Sequence, residues 1–81
     1  MNAERAKEMM HEVVAEAASC AIKCDGLSTY EWGMYCGMLA GILRCIQFTE
    51  SSSDFDGAMT LNLKLISEIS AMRIGAQKAA A

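Results

Sequence analysis

From Asn2 to Cys24 apolar side chains recur at helical spacing. At about 100° per residue, Ala6, Met10, Val13, Ala17, Cys20, Ala21 and Cys24 share one stripe. Glu4, Glu8, Glu12, Ser19 and Lys23 fall on the other side, so the pattern predicts an amphipathic helix over residues 2–24. "CDGLSTYE" then reads as a stop and a restart. Gly26 suits a left-handed C-terminal cap, and Ser28 with Glu31 three residues later has the spacing of a capping box. A second helix is expected over residues 29–49. "ESSSDFDG" reads as a polar loop that offers Asp54 or Asp56 as the next N-cap. Phe55, Ala58, Leu61, Leu65, Ile69, Met72 and Ala76 then predict a third helix over residues 55–78. "TLNLKLI" also alternates as a strand does, and the helical pattern continuing past Ile66 decides for helix.

The second helix lacks a wide polar face between Trp32 and Leu43. Tyr35, Met38, Leu39, Ile42 and Ile46 make a broad apolar side, and Gly33, Gly37 and Gly41 with Ala40 make a thin one. A helix apolar all round is normally buried on most sides, so this one is expected at the centre of the fold. Each interior glycine costs roughly 0.8–1 kcal/mol relative to alanine, about 2–3 kcal/mol for the three. Glycines four apart form a slanting groove that lets a second backbone come close. Two occupants compete: the first helix, which offers the small residues Ala6, Ala17 and Ala21, or a second copy of the chain. The pattern as a whole predicts one all-α domain over residues 1–81, a bundle of three helices with a central apolar helix, assembled as a homodimer. Gly33, Gly37, Gly41, Met38 and Ile42 are the expected interface.

Composition sharpens this in three ways. A chain of 81 residues is near the size where a single core is marginal and partners commonly help. Its seven methionines suit adaptable contact surfaces. A formal charge of −3 argues against direct nucleic-acid binding. "MNAERAKEMMHE" carries charge from its fourth residue and does not read as a signal peptide, so four cysteines point to free thiols in a reducing, cytoplasmic setting. The apolar run from Trp32 to Leu43 is shorter than the roughly 20 residues a membrane span needs, and no membrane partner is expected.

Candidate chemistry is sparse. Cys20 and Cys24 lie one turn apart on the apolar stripe and are expected as buried, reduced thiols. A helical hairpin around Gly26 brings Cys36 level with Cys20, giving Cys20, Cys24 and Cys36 as an alternative metal- or redox-responsive set. It is one ligand short of a closed zinc site. Cys36 and Cys45 are about 180° apart around their helix and cannot share such a site. His11 reads as a half-exposed surface residue. An EF-hand alignment of "SSSDFDGAMTLNL" places Ser52 at the first ligand position and Leu63 where the bidentate glutamate belongs, which excludes calcium. No nucleophile elbow, phosphate loop, metalloprotease helix or acid/base pair appears, so neither an enzyme nor a cofactor is expected. Glu4, Glu8, Glu12 and Glu16 stack along one edge of the first helix. That edge is either a solvated face or a docking edge for a protein with a basic surface. The expected role is a small helical interaction module, an adaptor or inhibitor. A phage-type acidic inhibitor of a nucleic-acid-handling host protein is the narrower alternative.

Overall fold

Each helix begins at a side chain that accepts an otherwise unpaired amide. The Asn2 side chain accepts from the Arg5 amide, the Ser28 hydroxyl from Glu31, and the Ser51 hydroxyl from Asp54. These caps open α1 (Ala3–Cys24), α2 (Thr29–Cys45) and α3 (Ser52–Ser70) in the computed structural model, which describes residues 1–75. The capping box at Ser28 is complete: the Glu31 carboxylate accepts in return from the Ser28 amide at 2.9 Å. Replacing such a cap by alanine costs about 1 kcal/mol.

The helices run up, down and up. Glu50, between α2 and α3, accepts from the Ala3 amide at the start of α1 at 2.6 Å. At the opposite end, Leu27 donates to the Met72 carbonyl and accepts from the Ile74 amide, which ties the segment after α3 to the α1–α2 turn. Trp32 braces the same end, with Nε1 donating to the Ser70 hydroxyl at 3.0 Å and the Arg73 guanidinium 4.3 Å from its ring centre. In that turn Asp25, not Gly26, takes the left-handed cap conformation (φ 57°), and the Asp25 and Gly26 amides both donate to the Ala21 carbonyl. Gly26 is needed for a second reason: at φ 116° a Cβ there would lie 2.9 Å from Ile74 Cγ1 and 3.1 Å from the Ile74 backbone.

Met10, Leu27, Leu39, Ile46, Leu65 and Ile69 are the largest side chains sealed inside. Burying each contributes about 1.5–3 kcal/mol before chain entropy is set against it. Among the described residues, Asn62 is the one buried polar side chain. Its amide nitrogen donates to the Leu39 carbonyl at 2.7 Å and lies 3.8 Å from Met10 Sδ, so it links all three helices.

The all-α, three-helix architecture agrees with the hydrophobic pattern, and among the described residues there is no strand. Several finer expectations differ. The helices pack pairwise, each against the other two, so within one chain no helix is set apart as the centre. α2 buries one side only, through Tyr35, Leu39 and Ile42. It also ends at Cys45 rather than residue 49, tightening through i→i−3 bonds at Ile46, Gln47 and Thr49 that keep Ile46 sealed in the core. The third helix starts three residues earlier than expected, because Ser51 captures the Asp54 amide before either aspartate can act as cap. The would-be calcium segment is therefore helical. That helix stops at Ser70 rather than residue 78, where the chain leaves to pair with Leu27; Ala76 lies outside the described residues.

Candidate functional site

Gly33 and Gly37 face away from the bundle, and Gly41 opens on the gap between α1 and α2. Among the described residues, a Cβ built on Gly33, Gly37 or Gly41 meets nothing within 4 Å. The first helix is thus not their partner, since its small residues Ala6 and Ala17 are sealed in the core and Ala21 packs half-buried against it. Around the glycines, Met34 (41% exposed) and Met38 (40% exposed) stand in solvent with Ala40. This open face carries no charged residue between Trp32 and Leu43. Ile42, expected at the interface, belongs instead to the core at 8% exposure. Rotation of α2 toward the bundle placed Tyr35, Leu39, Ile42 and Ile46 inward and left Met38 at the edge.

Beside that face an apolar groove of about 530 Å³ runs between α1 and α2. Met9 and Val13 line one wall, Met38, Gly41 and Ile42 the other, with Glu12 and Glu16 among its borders. The missing side chain at Gly41 helps to keep it open. Sequence reasoning missed Met9, whose position next to the acidic stripe hid its apolar role.

Glu4, Glu8, Glu12 and Glu16 are all exposed along α1. Arg5 Nη1 lies 3.0 Å from Glu8 and 3.3 Å from Glu12, and Lys7 Nζ lies 3.7 Å from Glu4. The edge is interleaved with cations, and such exposed pairs contribute little to stability.

A second cluster forms where α1 ends and α2 begins. Cys20 Sγ donates to Glu31 Oε2 at 2.9 Å, while Glu31 Oε1 holds the Ser28 amide. Cys20 Sγ, Cys24 Sγ and a Glu31 oxygen all lie within 4.8 Å of one another. The hydrogen bond to Glu31, reinforced by burial, pushes the Cys20 thiol up to about 11. The same bond, with those from Ser28, holds the Glu31 carboxyl below its usual range. Cys36 is not part of this group. It sits on the side of α2 toward Arg73, where burial pushes its thiol up and Arg73 opposes the shift. Burial likewise raises the Tyr35 hydroxyl, with Cys20 and Glu16 adding to it.

All four thiols are free, but Cys24 and Cys45 are exposed, contrary to the expectation that Cys20 and Cys24 are both buried. Cys24 lies in the last turn of α1, beyond the reach of the core stripe that seals Ala17. His11 is exposed on α1. Among the described residues no helix is long and apolar enough to cross a membrane. Compared with known protein families, curated proteins and solved structures, the chain matches none of them.

Proposed function

We propose that this protein is a small, non-enzymatic interaction module of the adaptor or inhibitor type, working in the cytoplasm, that self-associates as a homodimer across the open face of α2. One observation carries the reading. Three glycines cost α2 about 2–3 kcal/mol of helix stability, and among the described residues no atom lies within 4 Å of a Cβ built on any of them to offset it. A second backbone seated there closer than the usual 8–10 Å between helix axes supplies the missing gain. A second copy suits the face best. It is uncharged and flanked by methionines, so it is complementary to itself, and two-fold dimers are the commonest assemblies.

The acidic edge of α1 is the proposed docking site for a further protein with a basic surface. Glu12 and Glu16 support this, because they border the apolar groove and so combine charge with a greasy floor. Arg5 and Lys7 within the stripe, and a net charge of −3, favour a protein contact over imitation of a phosphate backbone.

Light scattering under reductant, over a range of protein concentrations, tests the assembly. A dimer mass is expected. A monomer mass at high micromolar concentration refutes self-association and leaves the open face to a different protein.

A further inference from the structure

Cys20 and Cys24 lie in the last turns of α1, and Glu31 lies in the first turn of α2. The Gly26 turn between them brings two sulfurs and one carboxylate oxygen within 4.8 Å of each other. We propose that Cys20 Sγ, Cys24 Sγ and Glu31 Oε2 form a binding site for Zn²⁺, with water as the fourth ligand. This proposal is independent of the dimer reading, since none of the three residues lies on the open face of α2.

The geometry supports it in three respects. Tetrahedral zinc with ordinary bond lengths to sulfur and oxygen separates its ligands by about 3.6–3.8 Å. The ligand atoms therefore need to shift by no more than about 1 Å: Cys20 Sγ and Glu31 Oε2, now 2.9 Å apart, open slightly, and rotation of the exposed Cys24 side chain brings its sulfur in. Glu31 is already oriented, because its other oxygen is fixed on the Ser28 amide at 2.9 Å. The negative pole at the C-terminal end of α1 offsets the positive pole at the start of α2, so the helix dipoles leave the cation's attraction to the thiolates and carboxylate in place. Cys24 is exposed, so the metal has an entry path.

Mixed thiolate and carboxylate ligation suits a borderline-soft divalent ion. The proton that the Cys20 thiol now donates to Glu31 lies where that ion would sit. Binding takes the two thiols as thiolates: one Zn²⁺ enters, two Zn–S bonds and one Zn–O bond form, and two protons leave to solvent.

The test uses the full chain, reduced and freed of metal by chelator, titrated first with Co²⁺ as a spectroscopic probe and then with Zn²⁺. One Co²⁺ per chain, a sulfur-to-cobalt charge-transfer band and displacement by one Zn²⁺ with release of two protons are expected. Cys24→Ser, at an exposed position, should weaken Zn²⁺ by about tenfold or more with helicity unchanged. Glu31→Gln keeps an oxygen for the Ser28 amide, so it should weaken the metal comparably without loss of the cap. Cys36→Ser and Cys45→Ser should change nothing. The proposal is overturned by any of three results: no charge-transfer band at micromolar protein and metal, binding indifferent to Cys24→Ser, or binding that needs Cys36 or Cys45.

Discussion

Replacing Gly33, Gly37 and Gly41 together by alanine separates what the glycines do for one chain from what they do between chains. None of the three has a positive φ, and none of the added methyl groups would meet an atom of the described residues within 4 Å. Within one chain the change is therefore pure gain in helix propensity, about 0.8–1 kcal/mol each and about 2.4–3 kcal/mol in total. For a domain of this size each kcal/mol raises Tm by about 4–8 °C, so the variant should melt roughly 10–25 °C higher. Between chains the effect has the opposite sign. Three methyl groups in a backbone-to-backbone contact overpack it by about 1–3 kcal/mol, or roughly five- to 150-fold in Kd. Thermal melts at low micromolar concentration read the first effect, and sedimentation equilibrium reads the second. A lower Tm in the dilute variant would refute the placement of the stripe in open space. Association as tight as in the parent chain would refute the stripe as the interface.

Gly26→Ala should destabilise the chain by about 1–3 kcal/mol in urea unfolding, because the new Cβ meets the Ile74 backbone at 3.1 Å and φ is 116°. Adding Ile74→Ala should not restore stability, since the backbone contact and the dihedral persist; full rescue would show that only the Ile74 side chain mattered. Asn62→Asp sets a buried carboxylate against the Leu39 carbonyl oxygen, now 2.7 Å from the amide nitrogen. It should cost about 3 kcal/mol or more at neutral pH, with the loss shrinking in acid as the carboxyl protonates. A stability profile parallel to that of the parent chain would count against a sealed site. The Cys20–Glu31 bond gives an alkaline signature. The Cys20 thiol is raised from 9.0 to about 11, so its stabilising contribution is complete below pH 9.0 and is lost as pH climbs through about 11. Cys20→Ala should remove that part of the alkaline decline, and an unchanged decline would locate it elsewhere.

Much of the helix layout is written in local patterns, which is why it was legible in the sequence. The stripe of α1 came out as Ala6, Met10, Val13 and Ala17 in the core, and Ser28 with Glu31 formed the expected box. Periodicity and capping involve residues within one turn of each other, so no tertiary information is needed to see them. The start of α3 was misplaced for a reason of the same local kind: several Ser and Asp side chains in "ESSSDFDG" are competent caps, and the sequence does not rank them.

What surrounds α2 was decided only by the tertiary structure. A helix apolar on every side has almost no preferred direction to turn toward a core, so its rotation is set by how α1 and α3 dock on it. That docking drew Ile42 inward and left the glycines outside. Asn62 is sealed because it reaches the Leu39 carbonyl of another helix, a contact 23 positions away along the chain. Cys20, Cys24 and Glu31 meet for a similar reason. The sequence assigns Glu31 to its cap, and only the angle at which α2 leaves the Gly26 turn aims its second oxygen at a thiol. Elements follow from neighbours along the chain, whereas the open face and the thiol–carboxylate corner follow from how three finished helices share one core.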